Sequence, residues 1–505
     1  MSKGEVKSGG YVETLRSSSI IGGAQGLNLL IGMVRTKLVA VLLGPTGVGL
    51  IGLYQSATGL VGSLAGLGIA SSGVRAVAEA HGSGDQERAA RTIKSLRRAS
   101  WATGLIGWAL TVAFALPLSQ WTFGSNERAG IVALIGITIL LSSINGGQVA
   151  LLQGLRRIGD LARLNVISVV TGTIVALSLY AWLGERGIVP VLIATAAINL
   201  CFSWSFARRV TIPDVELSWE MTWQHLRSLV ALGIAFMWSG LLLAAVALVT
   251  RSLVLRRLGL DANGIYQAAW GISGFFAGFI LSAMGADFYP RLTAVAHDHR
   301  AANRLVNEQT EVGILLALPG LLGTLAFAPW LMRMFYTAKF LPGADLLPLF
   351  VLGIFGRVIS WPLGFIQLAK GASRLFIVTE TVFSALHLGL TIVLLRHLGL
   401  QGVALAFALL YGIYTVSMLW VAHHLTSFRW SPAVVRLLAV AATLILVGFF
   451  AQHWLPPLPR LAAGTLLTVV SSLVSVRGIA ARLGQSHRIV RLACRIPGLS
   501  LVCGL

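Results

Sequence analysis

The chain contains two copies of one pattern of apolar segments. Three short matches keep the two copies in register: Tyr54-Gln55 recurs as Tyr266-Gln267, Arg163-Leu164 as Arg374-Leu375, and Leu183-Gly184 as Leu398-Gly399. Their offsets are 212, 211 and 215 residues. A polytopic membrane protein built from two like halves has its binding site in the cleft between them and works by moving one half against the other. The repeat therefore predicts a transporter.

The composition excludes a soluble protein. Hydrophobic residues make up 56% of the chain and charged residues only 11%, whereas a soluble globular chain carries roughly 25% charged residues. The apolar runs are about 18 to 27 residues long, enough for each to cross a hydrocarbon core of roughly 30 Å. We predict an all-α membrane protein with about 14 transmembrane helices, arranged as two parallel six-helix bundles plus two C-terminal helices.

The basic residues predict the orientation of these helices. Lys and Arg near short loops stay on the cytoplasmic side, and a cytoplasmic N-terminus places 27 of the 39 Lys and Arg there. Both termini are then cytoplasmic. Because six crossings separate the starts of the two repeats, the repeats run parallel about an axis along the membrane normal. The predicted domains are residues 1–207 (first bundle), 208–227 (cytoplasmic linker), 228–424 (second bundle) and 425–505 (two extra helices and a basic cytoplasmic tail).

The net charge of +21 fits the same topology. Basic loops are attracted to anionic lipid at the inner membrane surface, so membrane lipids are expected partners. A nucleic-acid partner is not expected, because no soluble domain is available to present a basic face. The tail from Arg477 to Arg495 has the pattern of an amphipathic segment at the membrane surface.

Motifs for catalysis, metals and nucleotides are not found in the sequence. The three cysteines are scattered, so they form neither a disulfide framework nor a metal motif. The glycine-rich stretch after Gly47 lacks the Gly-Lys-Ser/Thr of a phosphate loop. We therefore predict no catalytic residue, no metal site and no cofactor. Glycine pairs such as Gly62-x-x-x-Gly66 predict close helix packing.

A few charged residues lie inside the predicted spans and are candidates for the transport site. A charge at the bilayer centre costs roughly 3 kcal/mol and usually faces a cavity or a partner. Arg357 lies deepest, about 18 Å along its helix. Arg35, Lys37 and Arg251 lie in the outer thirds of their spans, where snorkelling to the interface explains them as well as cavity lining does.

Acidic residues are fewer in the spans, and two are candidates for ion coupling. Glu380 and Asp287 could each bind a proton or a sodium ion, or could be a structural partner of an arginine. An excess of buried cations over acids indicates an anionic substrate, because arginine recognises phosphate through charge-assisted hydrogen bonds.

Four further residues are candidates for binding sugars. These polar or aromatic side chains could hydrogen-bond or stack on sugar rings, or could pair between helices: Tyr54, Gln55, Tyr266 and Gln267.

Several motifs resemble those of the Wzx-type O-antigen and polysaccharide translocases of the multidrug/oligosaccharidyl-lipid/polysaccharide exporter superfamily. The run Lys37–Leu50 looks like their first-helix signature, and two later motifs are similar to theirs: Tyr289-Pro290-Arg291-Leu292, and Leu368-Ala369-Lys370-Gly371 with Arg374 and Glu380. The resemblance covers residues 15–425, and fourteen-helix members include the lipid II flippases. Arg35 also matches a cavity arginine of the lipid II flippases.

By this resemblance, the chain is a flippase of the bacterial inner membrane. It would carry an undecaprenyl-diphosphate-linked oligosaccharide, such as an O-antigen, common-antigen or exopolysaccharide repeat unit, to the periplasmic leaflet by alternating access. The diphosphate would contact Arg35, Arg251 and Arg357, and a polysaccharide polymerase and chain-length machinery would be partners. The alternatives are a multidrug or cation-coupled exporter of the same fold, a lipid II flippase, and a scaffold that recruits a polymerase, for which a buried Arg357 has no purpose.

Overall fold

The computed structural model describes residues 3–211, 213, 215–216 and 218–483 of the chain. Inside the helices, side chains are not described at 3–25, 29, 219, 224–226, 228–229, 231–233, 235–236, 276–277, 279–280, 282–287, 290 and 480–483. The side chain of Asp287, one of the two predicted ion-coupling residues, is therefore outside the described residues. So is most of the predicted basic tail.

The described residues form fourteen α-helices, joined in two places by 3-10 turns, and include no β-strand. The helices are α1 (Lys3–Gly66), α2 (Ile69–Gly82), α3 (Gln86–Ala113), α4 (Ala115–Phe123), α5 (Ala129–Gly154), α6 (Ile158–Leu183), α7 (Ile188–Ala207), α8 (Trp219–Ala294), α9 (His299–Ala326), α10 (Ala328–Phe335), α11 (Leu347–Ala369), α12 (Ser373–Thr426), α13 (Pro432–Trp454) and α14 (Pro457–Leu483). The predicted all-α class is confirmed.

Three of these helices are broken by a glycine whose backbone no other residue adopts readily. Gly44 in α1 has φ 63° and ψ −169°, Gly259 in α8 has φ 87° and ψ 177°, and Gly399 in α12 has φ 58° and ψ −138°. Positive φ with extended ψ is essentially a glycine conformation. Gly184, between α6 and α7, has φ 57° and ψ −133°. Each of the four glycines follows a leucine, so one Leu-Gly turn is used twice in each repeat.

The helices do not correspond one to one with membrane crossings. Nine stretches of the described chain are long and apolar enough to cross a membrane, or ten if the bent pair α3 and α4 counts as one span. Several are double length, such as Ile158–Ala207 and Ser373–Thr426, and contain one of the Leu-Gly turns. The count of fourteen crossings stays a prediction.

The repeat extends to helix lengths and caps. α3 and α9 each contain 28 residues and begin after an aspartate N-cap. Asp85 accepts a hydrogen bond from the backbone N–H of Arg88 at 3.0 Å, and Asp298 accepts from Arg300 at 2.9 Å and Ala301 at 3.1 Å. The bonds from Ala301 and then Arg300, with the positive charges of Arg300 and Arg304, hold the pKa of Asp298 below its usual value. A side-chain cap satisfies amides that the first helical turn leaves without partners.

The chain divides into two compact units, Met1–Gly264 and Ile265–Leu505. This division falls inside α8, whereas the domain boundaries predicted from the sequence flank residues 208–227 and stay predictions. In the first unit, α5 packs against α3, α2 and α7, and α1 against α6. In the second, α11 packs against α12 and α9, and the two extra helices α13 and α14 pack against α9.

Two turns of the first unit touch backbone to backbone, at a contact that we call the glycine seam: Pro45–Gly49 of α1 and Leu260–Gly264 of α8. A Cβ atom added to Gly49 would lie 2.7 Å from the carbonyl oxygen of Leu260, and one added to Gly264 would overlap that of Pro45. The Asn263 side-chain amide donates to the Gly49 carbonyl at 3.0 Å. The Thr46 hydroxyl donates to the Asp261 carboxylate at 2.5 Å. Small residues therefore allow a closeness that any side chain would prevent.

Candidate functional site

In the first unit, Tyr54 belongs to a group that the sequence analysis named only in part. Tyr54 is 3% exposed and lies in the second segment of α1. The Arg128 guanidinium donates to its hydroxyl at 3.2 Å and lies 5.2 Å from the centre of the Phe123 ring. The Tyr54 and Phe123 rings are 5.4 Å apart. Tyr54 is thus held by a cation from the connection between α4 and α5.

The predicted cations of α1 and α8 differ in exposure. Arg35 and Lys37 are half-buried, and Arg35 lies near enough to Tyr180 of α6 to act on it electrostatically. Arg251 is only 8% exposed and donates to the Ala247 carbonyl of its own helix at 3.1 Å. Lys37 and Arg251 each have further interactions. Snorkelling to open water does not describe Arg251, because its side chain is almost fully covered.

Gln55, the neighbour of Tyr54, points into a cavity of about 430 Å³ inside the first unit. The cavity lies among α1, α2, α3 and α5, and no charged residue lines it. The Gly62–Gly66 pair also lines it, and no atom lies within 4 Å of a Cβ atom added to either glycine. The prediction that this pair mediates close helix packing is therefore wrong: both glycines face open space.

In the second unit, aromatic rings connect the predicted Tyr266 with the predicted charged residues. Tyr266 is 6% exposed and stacks on Trp270, with ring centres 6.4 Å apart. Trp270 contacts Phe407 at 5.0 Å, and Phe407 contacts Tyr411 at 4.9 Å. Gln267 is half-buried and also interacts with another residue. The aromatic chain runs from α8 to α12 and ends beside Arg357.

Arg357 and Glu380 meet at a pair of tyrosines. Arg357 lies near the middle of α11, is half-buried, and has its guanidinium 6.0 Å from the centre of the Tyr411 ring. Tyr411 and Tyr414 of α12 lie close enough to both Arg357 and Glu380 for the two charges to act on them electrostatically. One cation, one carboxylate and two phenols thus occupy one place in the second unit.

Sequence reasoning missed two residues of these groups. His387 lies two turns after Glu380 on α12, with its ring 6.1 Å from Phe407. His387 could have been predicted from the sequence, because residues seven apart share a helix face and a histidine inside a span is uncommon. Arg128 lies in a connection between helices and carries no such signal. Among the described residues, no group of three His, Cys, Asp or Glu could hold a metal ion.

Each unit therefore has its own chemistry. The second unit combines a cation, a carboxylate and aromatic faces, which suits an anionic group and a stacked ring. The first unit combines a buried tyrosine held by arginine with a neutral cavity that is rich in hydroxyl groups.

Comparisons with known proteins agree with a membrane transporter. A family model described as "Polysaccharide biosynthesis protein" matches residues 38–345. Proteins named lipid III flippase in Escherichia coli (strain K12) and in Shigella flexneri are each 26% identical to the chain over an alignment of 416 residues; the alignment covers 77% of this chain and 92% of theirs.

Two solved structures are similar in fold. One is an inward-facing multidrug resistance MATE family transporter of the MOP superfamily, with a TM-score of 0.63 and 17% identity, covering 80% of this chain and 94% of that one. The other is the lipid II flippase MurJ in an inward closed conformation, with a TM-score of 0.63 and 15% identity, covering 92% of this chain and 99% of that one. At these identities the likeness shows the fold alone.

Proposed function

This chain belongs to the polysaccharide biosynthesis protein family, and from that premise we propose that it moves a lipid-linked oligosaccharide across the bacterial inner membrane. The chain is a multi-pass membrane transporter and not an enzyme. The proposed substrate is an undecaprenyl-diphosphate-linked repeat unit, carried from the cytoplasmic to the periplasmic leaflet. The similarity to the two proteins named lipid III flippase supports this class of substrate.

One observation carries the proposal: Arg357 is half-buried in the middle of a membrane-spanning helix, over an aromatic ring. A cation at this depth is costly unless it has a function or a partner. A diphosphate is a suitable ligand, because arginine binds phosphate with two parallel hydrogen bonds.

The proposed mechanism is alternating access. The two bundles, joined by residues 208–227, would expose the site to each side in turn while the lipid tail stays in the bilayer. Glu380 is the proposed coupling carboxylate, and Arg35, Lys37 and Arg251 are proposed further contacts of the diphosphate. Polymerase and chain-length proteins are proposed to receive the product.

The test uses cells that lack this chain and purified protein in vesicles. The deletion should cause a lipid-linked oligosaccharide to accumulate, and the wild-type gene should restore export. Vesicles that contain the purified chain and this lipid should make its sugars accessible to periodate, which does not cross the membrane, whereas empty vesicles should not. If neither accumulation nor transfer occurs, the chain is not a flippase for this class of lipid.

A further inference from the structure

The cavity in the first unit is chemically different from the Arg357 group. Seven serine and threonine hydroxyls and the Gln55 amide line it, and none of its lining residues is charged. Its volume of about 430 Å³ lies within the range of roughly 300–1,000 Å³ for small-molecule sites. The cavity therefore has the size of a ligand site without the charge that would attract a diphosphate.

One wall of the cavity is a flat glycine face of α1. Gly59, Gly62 and Gly66 lie on one side of the helix, since residues three, four and seven apart share a face. A Cβ atom added to any of them would meet no atom within 4 Å. These glycines thus do not serve helix packing. They leave room for a flat molecule to lie against the α1 backbone.

The polar side chains that line the cavity, on α1 and on the helices around it, retain hydrogen-bonding capacity. The Ser143 hydroxyl donates to the Ser100 carbonyl at 3.0 Å, and the Thr58 hydroxyl donates to the Tyr54 carbonyl at 3.0 Å. A hydroxyl that donates its proton still accepts through its lone pairs. Within the described part of the chain, the side chains of Ser63, Ser142 and Gln55 have no hydrogen-bond partner.

Lipid tails cannot satisfy these groups. Polar atoms inside a membrane protein are tolerated where they meet protein, water or a polar ligand. A ligand for this cavity must be neutral, must both donate and accept hydrogen bonds, and must present a flat face to the glycines. Sugar rings have all three properties.

We propose that this cavity binds the sugar rings of the transported molecule and selects among glycans, while the Arg357 group binds the diphosphate. This inference rests on the proposed function, because it assigns one part of that substrate to the first unit. It places glycan selection on α1, α3 and α5, and the selection does not depend on charge.

The experiment compares two probes on the purified full-length chain. One is undecaprenyl diphosphate, and the other is the lipid-linked oligosaccharide purified from cells that lack this chain. The wild-type protein should bind the sugar-bearing probe at least about tenfold more tightly, the effect of one or two hydrogen bonds. Gly62→Leu, which fills the cavity, should remove this preference and leave binding of undecaprenyl diphosphate unchanged.

Two further variants separate the roles of volume and hydrogen bonding. The double variant Ser63→Ala with Ser142→Ala leaves the cavity volume nearly the same. It should weaken the binding of the sugar-bearing probe only. Gly130→Leu is the matched control, since Gly130 also has open space around it on α5 but does not line the cavity. It should bind both probes as the wild type does.

The outcomes distinguish the two proposals. If the sugar preference survives in Gly62→Leu and in the double serine variant, the cavity is not the sugar site, and the proposed function stands. The inference is also overturned if the cavity variants bind both probes equally more weakly, or if the wild type does not prefer the sugar-bearing probe. If the wild type binds neither probe, or no such lipid accumulates without the chain, the proposed function fails and the inference fails with it.

Discussion

Arg357 is the residue on which the substrate proposal depends most. Replacing it with alanine removes the guanidinium above Tyr411. Hydrogen bonds to a charged group contribute about 1.5–3 kcal/mol, so affinity for undecaprenyl diphosphate should fall roughly ten- to a hundredfold, and export should be lost. Arg357→Lys should be partly active, because lysine keeps the positive charge but cannot form bidentate hydrogen bonds with a phosphate.

The control for Arg357 is a second arginine of the same unit. Arg396→Ala removes an exposed cation from α12 and should leave both affinity and export near the wild-type level. Membrane abundance of each variant is measured alongside. Normal export by Arg357→Ala at normal abundance would remove this residue from the substrate site.

Glu380 is the proposed link to a proton gradient. Its carboxylate acts electrostatically on Tyr411 and Tyr414, as the guanidinium of Arg357 does. Flipping in reconstituted vesicles should speed up under an imposed proton gradient, and Glu380→Gln should lose this response because an amide cannot take up the proton.

Glu185→Gln is the control for this test, since Glu185 lies exposed in the turn after α6. It should respond to the gradient as the wild type does. If Glu380→Gln flips as fast as the wild type and responds equally, Glu380 is a structural partner only.

Among the individual residues of the two sites, charged ones were easier to predict from the sequence than neutral ones. Arg357 and Glu380 stand out because a charge inside a span is costly, and the structure places them at the same pair of tyrosines. Ser63 and Ser142 have no such signal, because serines inside helices commonly bond to their own backbone. Only the helix packing shows that they line a cavity.

Among the elements, the glycine seam is the feature most sensitive to a small change. A methyl group at Gly264 would overlap the Pro45 carbonyl oxygen, so Gly264→Ala should force α1 and α8 apart. Overpacking of this kind costs about 1–3 kcal/mol, which should appear as a lower melting temperature of the purified chain. Gly274→Ala on the same helix has open space and should melt close to the wild type. Equal melting of the two variants would mean that the turns do not pack as described.

The cap of α9 should make stability depend on pH. Because hydrogen bonds lower the folded-state pKa of Asp298, its contribution is present near neutral pH and is lost as the pH falls through that lowered pKa. Asp298→Ala should lower the melting temperature at pH 7, and the difference from the wild type should shrink in acid. Asp298→Asn keeps a hydrogen-bond acceptor, so its melting temperature at pH 7 should fall less than that of Asp298→Ala. A difference that is the same at every pH would contradict the role of the charge.

The helices were easier to predict than their breaks. Apolar length and the repeat indicate the helical segments, and the pairs α3 with α9 and α4 with α10 follow the predicted register. The special backbone at Gly44 and Gly259 does not follow from glycine content, because the chain has 56 glycines. What distinguishes those two is their recurrence after leucine at the same place in each repeat.

For the whole molecule, the predicted orientation is open to direct labelling. A version without native cysteines receives single cysteines at exposed positions in connecting segments. With both termini cytoplasmic, a reagent that cannot cross the membrane should label Asn126→Cys in intact cells and should miss Gly84→Cys and Pro213→Cys. Permeabilised cells should show labelling at all three. Labelling of position 84 or 213 in intact cells would reverse the orientation.

The glycine seam also bears on how the two repeats diverged. Thr46 and Asp261 occupy equivalent positions, 215 residues apart, as do Pro45 with Leu260 and Gly49 with Gly264. The contact is reciprocal, so each turn offers the other the same carbonyl and the same glycine. When two identical chains are related by a two-fold axis, a residue on that axis contacts its own copy. Two aspartates in that position would repel each other. Joining both copies in one chain permits a hydroxyl to face a carboxylate, so covalent duplication allows a complementarity that an identical pair cannot have.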